Sequence, residues 1–151
     1  MADLRPIIQE TIDAFVENNT LAVKLKDTTL LSSVLSEHCI RMYRPFSFIQ
    51  QYPQFFKPRI TNADYEAQIK AELLTMRDVS QNVTRTVIDT TQRAATLWIE
   101  NTIHTAASSS TVEVVYDLSF TEDGSRITQV VEFVDTSESI KVLEQMLSQM
   151  S

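Results

Sequence analysis

The stretch that most constrains the fold is residues 111–136, TVEVVYDLSFTEDGSRITQVVEFVDT, which has the pattern of a long β-hairpin. Apolar and polar residues alternate along 111–121, where β-branched and aromatic side chains are frequent, as in a strand with one buried face. The Asp123-Gly124 pair then marks a turn, because glycine adopts positive φ without steric cost. The returning run, 127–135, is apolar on both faces, which predicts cover on both sides. We expect the chain's own helices on one side and a second subunit on the other.

The chain before and after this hairpin alternates between helical and strand periodicity. Where apolar residues recur every three or four positions we expect a helix, and where they alternate we expect a strand. Asp3 with Pro6, and later Thr61 or Asn62, are helix-start signals. The predicted helices span 3–19, 27–35, 61–76 and 137–149, and the predicted strands before the hairpin span 39–44, 82–89 and 93–105.

The segment 45–59, PFSFIQQYPQFFKPR, is rich in aromatic residues and interrupted by proline. Proline lacks the amide hydrogen and restricts the residue before it, so the segment is predicted to be a loop and not a regular helix. Soluble proteins rarely expose so many aromatic side chains together. The loop therefore either plugs the core or forms a lid at a pocket mouth, and the sequence leaves both possibilities open.

The order of elements predicts one α+β domain covering 1–151. Helices that precede a run of antiparallel strands pack together on one face of the sheet. A strongly bent antiparallel sheet of this kind forms a cone, and we expect the helices to lie over its concave face. The interior of such a cone is a natural place for a small-molecule pocket.

Charge and rare residue types exclude several kinds of function. A formal net charge of −7 argues against nucleic acid or an anionic membrane as partner. Cys39 is the only cysteine and no Cys and His residues have zinc spacing, so neither an intrachain disulfide nor a metal is expected. Gly124 is the only glycine, which argues against phosphate-binding loops and nucleotide cofactors. The N-terminus lacks a secretory signal, so we expect a cytosolic protein.

Candidate catalytic residues follow from what acid–base chemistry next to a carbonyl requires. It needs a base near the substrate and an acid or cation that stabilises the developing negative charge. Burial in an apolar cone raises the pKa of a carboxyl group, which suits it to both roles. Arg41 lies mid-strand and would bind an oxyanion if its face is the inner one, or pair at the rim if it is not. Glu66 and Glu72 lie on the third helix, with a solvated position as the alternative for both.

The last strand carries two further carboxylates, Glu132 and Asp135. At most one can face the interior, because neighbouring side chains on a strand point to opposite faces. If Phe133 faces inward, Asp135 does too and is the catalytic candidate, while Glu132 faces the outer, dimeric side. If Glu132 is the inward residue, it would contact the substrate. A structural alternative for both is an ion pair with Arg41 or Arg93.

Further ligand contacts are expected from side chains on the apolar faces of the helices and strands. Tyr116 and Trp98 could equally be core residues, and a buried Tyr116 needs a partner for its hydroxyl. The predicted substrate-binding residues are Phe15, Tyr65, Ile69, Trp98, Tyr116 and Glu132.

Several short motifs together resemble a known fold family. They are CIR at 39–41, PFS at 45–47, NADY at 62–65, Tyr116, DG at 123–124 and EFVD at 132–135. In this order they are similar to the nuclear-transport-factor-two-like superfamily, with its cystatin-like cone, ketosteroid isomerase and SnoaL-like polyketide cyclases. More narrowly, they resemble a fungal SnoaL-like group that includes isomerases and cyclases of meroterpenoid pathways. The resemblance covers nearly the whole chain.

The resemblance implies a homodimer whose protomers each hold a hydrophobic ligand and perform acid–base chemistry without a cofactor. It implies an isomerase or cyclase that rearranges a polycyclic polyketide-terpenoid intermediate of secondary metabolism. Phe48 and Ile49 depart from the Leu and Gly common after the Pro-x-Ser motif, which implies a different pocket mouth and substrate. A dehydratase or hydrolase on the same fold, and a non-catalytic module for ligand binding or dimerisation, are the alternatives.

Overall fold

The computed structural model describes residues 3–150, and its elements follow the predicted order with one added helix. The elements are α1 (Leu4–Leu25), a 3₁₀ helix (Thr28–Ser32), β1 (Leu35–Arg44), α2 (Phe46–Gln51), α3 (Asn62–Glu72), β2 (Met76–Asp89), β3 (Ala94–Thr105), β4 (Ser109–Phe120), β5 (Ile127–Val134) and α4 (Thr136–Met150).

The helices begin and end where side chains or backbone conformation satisfy the free backbone groups. The Asp3 side chain accepts a hydrogen bond from the Arg5 amide at the start of α1, and Lys26 ends that helix in the left-handed conformation with φ 56°. Thr61 and Asp64 form a reciprocal capping box at the start of α3. The predicted starts of both helices are thereby confirmed.

The five strands form one curved sheet in the order β1-β5-β4-β3-β2. Neighbouring strands run antiparallel except for the edge strand β1, which runs parallel to β5. The helices cover one face of this sheet, so the predicted α+β cone with a cystatin-like arrangement is confirmed. The parallel edge pairing is the one departure from the expected antiparallel sheet.

The predicted hairpin is present as β4 and β5, and its turn is fixed against α1. Gly124 has φ +77°, and a Cβ at this position would lie 3.0 Å from the Ile8 side chain. The Thr11 hydroxyl donates a hydrogen bond of 2.8 Å to the Gly124 carbonyl oxygen. The first helix is therefore held against the tip of the hairpin, and its inner face supplies much of the core. The largest fully buried side chains are Ile8, Ile12, Phe15, Leu97, Leu118, Ile127 and Val130.

Several element boundaries differ from the prediction. β1 begins at Leu35 and β2 at Met76, earlier than the predicted 39 and 82. Leu35 pairs with Ile127 and Met76 with Thr105, so sheet pairing extends both strands into residues whose local pattern is helical. Helix α1 runs to Leu25, beyond the predicted end at 19, and buries Ala22 and Val23 on its inner face.

The prediction of a loop throughout 45–59 is wrong for the residues of α2. Pro45 is the residue before this six-residue helix, where its missing amide hydrogen costs no helical bond. The rings of Phe48 and Phe56 are buried against Tyr43, with ring centroids 6.3 and 5.1 Å away. The segment thus contributes two core aromatic residues, and both also line the cavity described next.

Candidate active site

A cavity, called the inner cavity below, lies between the concave face of the sheet and the helices. It holds about 930 Å³ of space outside protein atoms, its open mouth included. Most of its wall is apolar, and a few polar groups converge on it, as in small-molecule sites generally. The polar side chains in the wall are Asn19, Tyr43, Tyr65, Gln68, Glu72, Gln81, Asn101, Tyr116, Glu132 and Ser139.

Three of these polar side chains form a row across neighbouring strands. Tyr43 on β1 is opposite Glu132 on β5, and Glu132 is opposite Tyr116 on β4. Residues that are opposite in register point to the same face of a sheet, and here that face is the concave one. The Tyr116 hydroxyl lies close enough to the Glu132 carboxyl group to lower its pKa. The register of the sheet therefore places a carboxylate between two phenols.

Arg41 forms a buried ion pair with Glu132. Its Nη1 lies 2.6 Å from Glu132 Oε1, and the two side chains are 4% and 13% exposed. The guanidinium carbon lies 3.6 Å above the centre of the Tyr65 ring, a stacked arrangement that favours a cation. Glu132 and Tyr65 line the inner cavity, whereas Arg41 is not part of its wall. Arg41 therefore acts on the cavity through these two residues.

The charge state of Glu132 is set by opposing effects. Burial raises the pKa of its carboxyl group above the ordinary value, while Arg41 and the Tyr116 hydroxyl oppose that rise. Burial raises the pKa values of Tyr43 and Tyr116 well above the ordinary value. The phenols consequently stay protonated near neutral pH and can donate hydrogen bonds to Glu132 or to a bound oxygen atom.

A second carboxyl group reaches the same cavity from α3. Tyr65, Ile69 and Glu72 recur at helical spacing and line the wall together with Gln68. Gln68 Nε2 donates hydrogen bonds of 3.1 Å to both Glu72 Oε1 and the Tyr43 hydroxyl. Burial raises the pKa of Glu72 to about 7; the Gln68 hydrogen bond opposes this shift and the charge of Glu132 adds to it. Glu72 can therefore donate or accept a proton near neutral pH.

The raised pKa of Glu72 predicts a pH-dependent gain of stability in the Glu72→Gln variant. A carboxyl group whose pKa rises on folding stabilises the protein fully below its unfolded-state pKa, near the ordinary 4.5, and loses that contribution as pH rises to about 7. The free energy of unfolding of Glu72→Gln, relative to the wild type, is expected to increase by about 2–3 kcal/mol between pH 4 and 8. Urea denaturation at both pH values measures this difference, and a difference that does not change with pH contradicts it.

Most of the sequence-predicted site residues come together around the inner cavity. Tyr65, Ile69, Glu72, Tyr116 and Glu132 line it, and Arg41 pairs with Glu132 behind the wall. The proposed structural alternative, an ion pair between Arg41 and a carboxylate of the last strand, is thus also realised. Phe15 is buried, with its ring edge-on to Tyr116 at 5.3 Å between centroids, and lies outside the cavity wall.

The inward orientation expected for Asp135 is wrong. Tyr116 on the concave face pairs with Glu132, so Glu132 faces inward and Phe133, which is 51% exposed, faces outward. Asp135 is exposed beyond the end of β5, where its Oδ1 accepts a hydrogen bond of 3.2 Å from the Glu138 amide in the first turn of α4.

Two other predicted site residues lie outside the cavity. Trp98 is 47% exposed and sits opposite Val115 in the outward row of the sheet, outside the wall of the inner cavity, and its substrate contact stays a prediction. Glu66 on α3 is half-buried, follows Tyr65 by one residue and therefore points away from the wall that Tyr65 and Glu72 line. Its catalytic role also stays a prediction.

Sequence reasoning missed several polar wall residues. Tyr43 is two residues from Arg41 on the same strand, and Gln68 is three residues from Tyr65 on the same helix, so both spacings carried a usable signal. Gln81 lies outside the strand predicted at 82–89, and Asn101 lies in a strand whose apolar residues occupy both faces. Neither position can be assigned to the interior from local pattern alone.

Among residues 3–150 no group of three or more His, Cys, Asp and Glu side chains is placed to hold a metal ion. No helix in the described part of the chain is long and apolar enough to cross a membrane.

Comparison with known proteins finds similarity in structure only. No protein-family model matches the chain, and no curated protein sequence matches it either. The BvnE pinacolase from Penicillium brevicompactum superposes with a TM-score of 0.83 at 16% identity, covering 99% of this chain and 100% of that one. PrhC from Penicillium brasilianum gives 0.80 at 12% identity, covering 98% and 93%. An NTF2-like protein of unknown function from Burkholderia pseudomallei gives 0.69 at 12% identity, covering 89% and 95%.

Similarity at these identities establishes the fold alone. The chain has the cone-shaped α+β fold of nuclear-transport-factor-two-like and SnoaL-like proteins, with the inner cavity inside the cone.

Proposed function

We propose that the protein is an isomerase or cyclase that rearranges a polycyclic polyketide-terpenoid intermediate by acid–base chemistry in the inner cavity, without a cofactor. The observation that carries the proposal is the convergence of two partly buried carboxyl groups, Glu72 and Glu132, on one largely apolar cavity. The burial of both groups shifts their pKa values upward, towards the pH at which they can exchange protons.

The two carboxyl groups have different partners, which suits them to different roles. Glu132 is paired with Arg41 and serves as the base that takes a proton from a substrate carbon or hydroxyl. Glu72 has a pKa of about 7 and returns a proton at a second position. Tyr116 donates a hydrogen bond to the substrate oxygen on which negative charge develops. The proton removed and the proton returned balance, so the product has the same mass as the substrate.

Arg41 is a positioning residue in this proposal. It fixes the Glu132 carboxylate at 2.6 Å and favours its ionised form, and its stacking holds the Tyr65 ring against the cavity. The similarity in fold to a protein named as a pinacolase supports a rearrangement of a carbon skeleton as the reaction class.

The proposal is tested by incubating the purified protein in D₂O with a panel of polycyclic ketones and lactones and analysing the products by mass spectrometry. The expected result is an isomer of the starting compound, with deuterium incorporated at the position to which the proton is returned. A product that has lost or gained one water molecule would instead favour the dehydratase or hydrolase alternative. Binding of the compounds without any conversion would favour the non-catalytic ligand-binding module.

We also propose that the functional unit is a homodimer formed through the outer face of the sheet. Trp98, Val115 and Phe133 lie directly opposite one another on β3, β4 and β5 and form an apolar row that points away from the helices. Arg85 is opposite Trp98 on β2, while Glu113 on β4 is exposed on the same outer face. A second copy related by two-fold symmetry would cover the apolar row and bring basic and acidic groups of the two copies together.

If the protein is a homodimer, light scattering at micromolar concentration should give twice the monomer mass, and this mass should not change with concentration in that range. Replacing Trp98 or Phe133 with Glu is expected to yield monomers, because a charge would be buried in the apolar row. Phe46→Glu is the matched control, since Phe46 is 59% exposed on α2, away from this face, and the variant should remain dimeric. A wild-type protein that scatters as a monomer would refute the dimer.

A further inference from the structure

The Asn101 side chain stands out in the wall of the inner cavity because it has no hydrogen-bonding partner. It projects from β3 into the cavity wall, and its Oδ1 is completely buried without a partner among residues 3–150. Within the same range the Asn101 carboxamide makes no other side-chain hydrogen bond. Buried amide groups are nearly always paired in folded proteins, so an unpaired one in a cavity wall calls for a ligand atom or a water molecule.

The neighbouring carboxamides differ from Asn101 in this respect. Gln81 on β2 is directly opposite Asn101 in register, so both side chains share the concave face. Gln81 Oε1 accepts a hydrogen bond of 3.2 Å from Asn19 Nδ2, and the Gln81 side chain lies close enough to the Tyr116 hydroxyl to lower its pKa. Gln81 and Asn19 are therefore engaged with the protein, whereas the Asn101 carboxamide beside them is left free.

The register of the sheet separates Asn101 from the reacting groups. Its partner on β4 is Val112, four residues before Tyr116. Four residues correspond to about 13 Å between the backbones of Val112 and Tyr116, while the long Gln81 side chain beside Asn101 bridges part of this distance towards the Tyr116 hydroxyl. The apolar wall residue Val114 lies between Val112 and Tyr116 on β4. A ligand that contacts both Asn101 and the reacting groups thus carries two polar groups joined by an apolar body.

From this arrangement we infer that Asn101 binds a hydroxyl group of the substrate, distinct from the oxygen at which the reaction takes place. The inference rests on the proposed function and specifies its substrate as a hydroxylated polycyclic compound. A carboxamide presents a donor and an acceptor side by side, and a hydroxyl group can both donate to Oδ1 and accept from Nδ2. Asn101 is therefore a residue that determines specificity and takes no part in the proton transfer.

The binding test compares testosterone, a polycyclic ketone with a hydroxyl group at its far end, with the analogue that lacks this hydroxyl. Isothermal titration calorimetry with the wild type should show about three- to tenfold tighter binding of testosterone, as one additional hydrogen bond provides. In Asn101→Leu this preference should vanish, while the affinity for the deoxy analogue stays within about twofold. An unchanged preference in the variant would overturn the inference.

A thermal test does not depend on any ligand. Because the Asn101 amide is unpaired, Asn101→Leu should raise the melting temperature, by roughly 2–4 °C. Asn19→Leu is the matched control, since it removes a carboxamide that is hydrogen-bonded, and it should lower the melting temperature. A decrease in Asn101→Leu as large as that in Asn19→Leu would assign Asn101 a structural role and overturn the inference. Asn101→Ala repeats both tests if the leucine does not fit, with loss of the testosterone preference as its decisive result.

Failure of the inference and failure of the proposed function give different results. If neither steroid binds the wild type, the proposed class of polycyclic ligand fails, and the inference fails with it. If both steroids bind with equal affinity, or if the preference survives in Asn101→Leu, the inference alone is wrong and acid–base chemistry at Glu72 and Glu132 is unaffected.

Discussion

Glu132→Gln is expected to lower the turnover number on whichever probe is converted by about 10²- to 10⁴-fold, the usual contribution of a positioned general base. Glutamine preserves the shape of the side chain and can still accept a hydrogen bond from Arg41, but it cannot take up a proton. The Michaelis constant should change much less, because the apolar wall that binds the substrate is intact. Steady-state kinetics with the variant and the wild type measure both quantities.

The control for this prediction is Glu37→Gln, which neutralises an exposed glutamate on β1 of the same sheet. It should retain the turnover number of the wild type, and circular dichroism should show that both variants are folded. If Glu132→Gln turns over at more than about a tenth of the wild-type rate, Glu132 is not the base. The same comparison with Glu72→Gln then decides whether the second carboxyl group has that role.

Arg41→Leu is expected to destabilise the folded protein by about 3–5 kcal/mol, the cost of leaving one member of a buried ion pair without its partner. The Glu132 side chain is only 13% exposed and its Oε1 lies 2.6 Å from Arg41 Nη1, so water reaching it through the cavity replaces only part of the lost interaction. The leucine also forfeits the stacking of the guanidinium on the Tyr65 ring. Urea denaturation at pH 7 measures the change in the free energy of unfolding.

The double variant Arg41→Leu with Glu132→Leu distinguishes a lost ion pair from a merely damaged core. Because both charges are then absent, it should recover a large part of the stability lost in Arg41→Leu. A double variant that is less stable than Arg41→Leu would mean that the two residues stabilise the protein independently. If Arg41→Leu lowers the free energy of unfolding by less than about 1 kcal/mol, the Arg41–Glu132 pair contributes no more than a surface ion pair does.

Those parts of the fold that depend on local pattern could be predicted from the sequence. The alternation along 111–121 and the Asp123-Gly124 pair identify the hairpin, and Thr61 with Asp64 identifies the start of α3, because each signal lies within a few residues. The added length of β1 and β2 could not be predicted in this way. Leu35 and Met76 enter strands only because Ile127 and Thr105, far away in sequence, pair with them.

The same distinction separates the predictable from the unpredictable site residues. Glu72 and Tyr116 lie on faces whose neighbours are mostly apolar, so their inward orientation follows from periodicity. The strand that contains Glu132 and Asp135 is apolar on both faces. Which of its residues face the cavity is decided by the pairing of Glu132 with Tyr116. Trp98 lies in a strand with the same ambiguity. The register between strands is a property of the folded sheet, and local sequence does not encode it.

The most direct test of the account is a crystal structure of the protein soaked with testosterone. It tests the claim that the cone holds a polycyclic ligand between the acid–base residues Glu72 and Glu132 and the specificity residue Asn101. The account predicts the steroid in the inner cavity, with its ketone oxygen within hydrogen-bonding distance of Tyr116 or Glu132 and its hydroxyl against Asn101. A ligand bound with neither oxygen near these residues, or a cavity filled by side chains that admits no ligand, would contradict it.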